Sequence, residues 1–382
     1  MNGRWCRAGL CAAGLVGAAL GVALFVVAVT SAPAEAGPVA PSTTRVHYIA
    51  ADEVDWDYAP SGKNQITGKP FSEDEDVFVA NGSDRIGAVY RKALYREYTD
   101  ASFTTLKPIP LKWRHLGLLG PPIHAEVGDT IRVVFKNQTR FPASVHPHGV
   151  RYAKDAEGAP YNDGTSGAKK ADDDVAPGRT HTYVWEVPDR AGPGPMDPSS
   201  VMWMYHSHVD EAGDTNAGLM GPIMVTARGM ARPDGSPKDV DREFVNVYSV
   251  MDENASPYLH HNIETFAGDP SSVDSSDEEF GESNLMHGIN GYVYGNLPLM
   301  RMNKGEHVRF YLMGMGTEVD LHTPHWHGNT VTVMGMRTDV AELLPASMKT
   351  ADMVPDAVGT WLFHCHVNDH IAAGMLARYV VE

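Results

Sequence analysis

The sequence predicts an all-β protein made of two β-sandwich domains in tandem, and three observations carry that prediction. Short runs rich in β-branched and aromatic residues recur at 130–135, 182–187, 244–250, 307–312 and 330–333, separated by clusters of Gly, Pro, Asn and Asp, which is the rhythm of sandwich strands and turns. From residue 46 onward no long 3.6-residue apolar period competes with them. Finally, EVGDTIRVVF at 126–135 is echoed by MNKGEHVRFY at 302–311, and each echo is followed by one histidine cluster and then a second. The chain is therefore a two-fold repeat.

Taken in order, the N-terminus comes first. Arg4 and Arg7 precede an uncharged run of 22 residues, 8–29, and the small residues SAPAEA follow at 31–36. This reads as an export signal over 1–36, with an uncleaved anchor as the alternative because the run reaches spanning length. The body is then expected outside the cytoplasm, as a periplasmic, cell-surface or secreted protein. Cys6 and Cys11 fall in that segment, so Cys365 is the lone cysteine of the body. No disulfide framework can form within the body, and a lone cysteine in an oxidising compartment needs a reason to survive as a free thiol or a metal thiolate.

A first sandwich domain is expected over 45–228, a Pro- and Gly-rich linker over 229–240, and a second domain over 241–382. Residues 268–283 read as an acidic loop of the second domain. With 31 Lys and Arg against 48 Asp and Glu, the formal charge of −17 excludes a sequence-independent grip on nucleic acid. Cationic partners fit better.

Ten of the 18 histidines fall into four short clusters: HPHG at 146–149, HSH at 206–208, HTPHWHG at 322–328 and HCHVNDH at 364–370. Residues i and i+2 of an extended segment share a face, so each His-x-His presents two imidazoles side by side, as neighbouring metal ions require. One such pair is weak evidence; four at matching places in two repeats are not. The last cluster says more, because Cys365 lies between His364 and His366 and must point to the opposite face from both. It serves a different metal. His370 and Met375 follow the cysteine and His322 precedes it, giving two imidazoles, a thiolate and a thioether, which is a blue-copper ligand set. Zinc would have no use for a thiolate wedged between the ligands of a second site. One strand would then join two copper sites on opposite faces, separated by on the order of 10 Å, as a path for electrons.

These residues resemble the multicopper oxidases, and within them the ceruloplasmin-like branch, through YIAADEVDWDYAP at 48–60, YHSHVD at 205–210, MHGINGYVYGN at 286–296 and GTWLFHCH at 359–366. The resemblance implies two cupredoxin-like Greek-key sandwiches that carry four copper ions per chain. A type 1 ion would be held by His322, Cys365, His370 and Met375. A type 2 ion would be held by His146 and His325, and a type 3 pair by His148, His206, His208, His327, His364 and His366. Electrons would pass from Cys365 through His364 and His366 to this trinuclear cluster, where dioxygen is reduced to water. The resemblance also implies an Fe(II) site built from Glu282, His287 and Asp369, with Glu318 contributed by a neighbouring subunit. Hard carboxylate oxygens suit that substrate.

The first repeat has Ser207 where the second has Cys365, and a hydroxyl cannot replace the thiolate bond, so domain one is expected to lack a type 1 ion. Each domain then supplies half the trinuclear ligands, and by resemblance three chains would close head to tail into a homotrimer with sites between subunits. Competing functions are a laccase-type oxidation of phenols, oxidation of cuprous ion, and copper binding without turnover. The cuprous reading rests on Met313, Met315, Met334, Met336, Met348 and Met353, since thioethers favour Cu(I). Loss of any cluster ligand would have favoured the non-enzymatic reading, but all are in place.

Overall fold

The computed structural model describes residues 42–317 and 320–382. The export segment and Glu318 lie outside the described residues. Nine strands form the first half: β1 (Thr44–Asp57), β2 (Val89–Tyr98), β3 (Ile123–Glu126), β4 (Thr130–Asn137), β5 (His146–Pro147), β6 (Arg151–Tyr152), β7 (Thr180–Glu186), β8 (Ser200–His206) and β9 (Met220–Thr226). Ten form the second: β10 (Arg242–Asp252), β11 (Leu285–Ile289), β12 (Met300–Met302), β13 (Val308–Gly314), β14 (Pro324–Trp326), β15 (Val331–Val333), β16 (Met336–Thr338), β17 (Met348–Met353), β18 (Gly359–Cys365) and β19 (Leu376–Val381). The helices are short: α1 (Glu73–Val79), α2 (Glu211–Ala217), α3 (Leu259–Phe266), α4 (Glu278–Ser283) and α5 (Asn368–Ala372). Among the described residues none is long and apolar enough to cross a membrane.

Each half is a pair of sheets, and the pairings repeat. In the first half the orders are β2-β1-β4-β7-β6 and β3-β9-β8-β5; in the second they are β11-β10-β13-β17-β15-β16 and β12-β19-β18-β14. The parallel pair β1 with β4 corresponds to β10 with β13, and β3 with β9 to β12 with β19. Alternation explains the local burial. In β4, Ile131, Val133 and Phe135 turn inward while Arg132 points to solvent, so one face packs on the core and the other stays wet. One apolar cluster fills each half, built around Ile131, Val133 and Trp185 in the first and Phe310, Trp326 and Phe363 in the second.

A third cluster joins the halves, with Met202, Met204 and Met224 of the first packed among Val245, Val247, Tyr311 and Met313 of the second. That is why β9 and β13 are buried at every position rather than at every other one. The junction also holds paired polar groups. Arg309 makes a two-pronged bond to Asp352 (2.6 and 2.8 Å) and donates to Ser200 Oγ at 2.6 Å. The Lys92 ammonium bonds the Glu253 carboxylate with both side chains fully buried. Burial disfavours the charges on Lys92 and Glu253, and each partner offsets part of that cost. The acidic stretch 268–283 differs from a plain loop in ending as α4, because Asp277 accepts the Glu279 N–H at 3.2 Å and so caps a turn whose acidic start suits the helix dipole.

Candidate metal centres

The register of two antiparallel strand pairs assembles the histidines. His146 of β5 stands opposite His206 of β8, and His325 of β14 stands opposite His364 of β18. In both places a hairpin-like pairing sets one His-x-His against another. His148, His206 and His146 form one group of potential ligand atoms within 4.8 Å of one another, and His325, His327 and His364 form a second. His208 and His366 close the two quartets, their rings 5.2 Å from His146 and 5.4 Å from His325 respectively.

Backbone carbonyls orient these rings. His146 Nδ1 donates to Glu157 O (2.6 Å), His206 Nδ1 to Ser207 O (2.9 Å), His325 Nδ1 to Asp339 O (2.9 Å) and His364 Nδ1 to Cys365 O (2.6 Å). A carbonyl can only accept, so the proton sits on Nδ1 and each Nε2 presents a bare lone pair. His148 Nε2 lies 3.1 Å from His206 Nε2, and His327 Nε2 lies 3.1 Å from His364 Nε2. Two imidazole nitrogens that converge in this way, with the far nitrogens of His206 and His364 anchored, suit shared metal ligation. Burial lowers the pKa of His148, His206 and His364 to about 4, so the rings are neutral and ready to bind. Among the described residues every such group draws all its members from one half of the chain.

The third group is His322, Cys365 and His370, all buried. Cys365 Sγ lies 3.5 Å from His370 Nδ1 and accepts the Thr323 N–H at 3.3 Å. His322 donates from Nε2 to Met315 O at 2.9 Å, while its Nδ1 is buried with no partner. An orphaned, buried imidazole nitrogen beside a thiol is costly unless a cation fills the gap. Burial pushes the Cys365 thiol up and lowers His322 to about 4, so the imidazole is neutral and does not supply that cation itself. Met375 is fully buried, and Cys365 N–H donates to its carbonyl at 3.1 Å, which brings the thioether residue to the same pocket. Two imidazoles, a thiol and a nearby methionine fit copper better than any other common metal.

His287 joins this region: its ring centroid is 5.4 Å from that of His370, and burial lowers it to about 4. Asp369 and Asp320 both act on its charge, and Asp369 is exposed. Glu282 stands exposed on the last turn of α4 and lines a hollow of about 480 Å³ with Asp76, Glu278, Glu279 and Arg85. Sequence reasoning missed Asp320 and Thr323. Asp320 is buried and accepts from Thr317 N and Oγ1 (2.5 and 3.1 Å); its place two residues before His322 was the available signal. Of the six methionines, Met313, Met315 and Met353 are core residues, whereas Met334 and Met336 are exposed.

Family models described as multicopper oxidase match residues 116–229 and 268–382. The chain is 47% identical over 344 residues to human ferroxidase HEPHL1, covering 89% of this chain and 29% of that protein. It is 47% identical to human hephaestin over 343 residues (89% and 29%) and 44% identical to human ceruloplasmin over 345 residues (88% and 32%). The chain thus spans about three-tenths of the length of these relatives. Solved structures share the fold: a multicopper oxidase, mgLAC, at TM-score 0.57 and 18% identity, covering 89% of this chain and 87% of its own, and a copper nitrite reductase from Nitrosomonas europaea at TM-score 0.56 and 16% identity, covering 89% and 94%. The fold is the cupredoxin-like β-sandwich, present twice.

Proposed function

The chain belongs to the multicopper oxidase family, and from that premise we propose that it is an exported oxidase coupling one-electron oxidation of Fe²⁺ to four-electron reduction of dioxygen to water. The observation that carries this reading is the ligand arrangement around one strand. On β18, Cys365 meets His370 and the bare nitrogen of His322, while His364 on the same strand meets the second quartet. Copper bound there would supply single-electron transfer at the thiol site and multi-electron reduction of dioxygen at the quartets.

The residues of this chain supply the rest. His322, Cys365, His370 and Met375 would hold the type 1 ion, His146 and His325 the type 2 ion, and His148, His206, His208, His327, His364 and His366 the type 3 pair. The Thr323 N–H on Cys365 Sγ withdraws charge from a thiolate and so tunes how readily that site accepts an electron. Asp369 adjoins His370 in sequence and His287 lies against its ring, so a carboxylate and an imidazole stand ready for Fe²⁺ beside a type 1 ligand. Glu282, and Glu318 of a neighbouring chain, would complete that cup.

Each quartet comes from one half of the chain, which supports joining the first quartet of one subunit to the second quartet of the next, three chains closing a ring. Oxidation of cuprous ion is the second reading, favoured by the exposure of Met334 and Met336. Oxygen uptake by copper-loaded protein separates the substrates. Fe²⁺, corrected for autoxidation, should be turned over far faster than a methoxyphenol, and alanine at His287 or Asp369 should raise the KM for Fe²⁺. Equal rates with the phenol, unmoved by those variants, would remove the iron site and leave the oxidase.

A further inference from the structure

Behind the first quartet lies a pocket whose residues take the places of the thiol site's, and among the described residues they form no group of metal ligands. Ser207 N–H donates to Leu219 O at 3.1 Å, as Cys365 N–H does to Met375 O. Leu219 N–H donates to Asp214 O at 3.0 Å, as Met375 N–H does to His370 O at 2.8 Å. Ala143 exchanges backbone bonds with Val175, as His322 does with Leu343. Ser207, Leu219, Asp214 and Ala143 thus take the places of Cys365, Met375, His370 and His322. The polar partners are also preserved: Ser144 N–H donates to Ser207 Oγ at 3.0 Å where Thr323 N–H meets Cys365 Sγ, and His208 N–H donates to Ser144 Oγ at 3.0 Å where His366 N–H meets Thr323 Oγ1 at 3.1 Å.

In this pocket a carboxylate closes the network. Asp214 Oδ2 accepts the Ser207 hydroxyl at 2.5 Å and the Asp210 N–H at 3.2 Å. Ser144 Oγ donates onward to Gly158 O at 2.6 Å, and the Glu157 and Gly158 N–H groups both donate to Asp172 Oδ2 (2.9 and 2.8 Å). Glu157 O is the acceptor that orients His146. Ser144, Ser207, Asp172 and Asp214 are all buried, where a connected chain of hydrogen bonds is stiff and removal of one member leaves its neighbours unpaired.

We propose that Asp214 is a positioning residue for the first histidine quartet: through Ser207 and Ser144 it fixes the backbones of His206 and His208, and through Gly158 and Glu157 the ring of His146. This rests on the reading that the quartet holds copper. In the second half the equivalent backbone carries a thiol and a His that would share a metal; in the first half a hydroxyl and a carboxylate are joined by a hydrogen bond instead. Asp214 does not touch the reacting atoms and acts only through the imidazoles.

The test compares copper-loaded full-length protein carrying Asp214→Ala, Asp214→Asn or Ser207→Ala with the unmodified chain. Four readouts are taken: copper per chain during dialysis against a chelator, the electron paramagnetic resonance of the type 2 ion, the blue absorption of the Cys365 site and the thermal midpoint. Asp214→Ala and Ser207→Ala should keep the blue absorption, lose quartet copper roughly tenfold more readily and shift the type 2 signal, the low end of what an outer ligand partner is worth. Asp214→Asn keeps an acceptor for Ser207 and should restore most of both. If Asp214→Ala fails to fold, Ser207→Ala decides, because it removes one oxygen. Retention and resonance unchanged in Ser207→Ala would overturn the proposal. The underlying site reading fails separately, if the unmodified chain holds no more copper than a chain with His206→Ala and His208→Ala.

Discussion

Cys365 faces His370 across 3.5 Å in the second half, and Ser207 faces Asp214 across 2.5 Å in the first. Around those pairs the two halves are the same device: matching strand orders, matching cross-strand histidines, and matching carbonyls that hold Nδ1 so that Nε2 is free. What differs is the filling of one buried pocket. The comparison teaches that two imidazoles in each half are anchored alike by backbone carbonyls although different side chains fill the pocket behind them, whereas, among the described residues, a thiol beside two imidazoles occurs in the second half alone. A repeat can therefore lack the thiol and still keep its histidine quartet.

The largest expected effect makes the second half resemble the first. Cys365→Ser should abolish the blue colour and the oxidation of every substrate together, while copper bound to the quartets is retained, since their carbonyl anchors do not depend on the thiol. Activity surviving in that variant would break the comparison, because the first half would then have to supply an entry point of its own.

The next test asks whether the halves work across chains. One variant lacks the first quartet through His206→Ala and His208→Ala, and another lacks the second through His325→Ala and His327→Ala. Each alone should be inactive. Co-assembled in equal amounts, a head-to-tail ring pairs an intact first quartet with an intact second at about one junction in four, so about a quarter of the activity should return. Quartets that meet within a single chain would return none.

Much of this was legible in the sequence because the chemistry is written in short strings. The period-2 rule placed His364 and His366 on one side of β18 and Cys365 on the other, and the repeat of EVGDTIRVVF by MNKGEHVRFY marks β4 and β13 as counterparts. Ser207 in place of Cys365 was equally plain. What the sequence withheld were partners set by long-range packing. Asp214 takes the place of His370 only through a loop that is two residues longer after Ser207 than after Cys365, so alignment by spacing hides it. The anchoring carbonyls of Glu157 and Asp339 belong to residues whose side chains give no hint of that use. Nor could composition show that a third apolar cluster would weld the halves together.

That weld sets the smallest predicted effect. His115 lies buried at the junction, its Nε2 accepting the Val245 N–H at 3.0 Å and its ring 5.1 Å from Phe244. Burial lowers its pKa from the usual 6.5 to about 4, so the folded chain holds it neutral. A base lowered in this way contributes stability that is fully present above its unfolded pKa and is lost as pH falls toward the folded one. Against a His115→Gln variant, which keeps an acceptor but cannot titrate, the copper-free protein should lose roughly 2 kcal/mol more stability between pH 7 and pH 5, measured by urea unfolding. The other buried imidazoles are common to both chains and cancel. Because His115 joins segments of both halves, a single transition should carry that loss. If instead two transitions were seen and only one moved, the halves would unfold independently, and the third cluster would be a contact surface rather than a shared core.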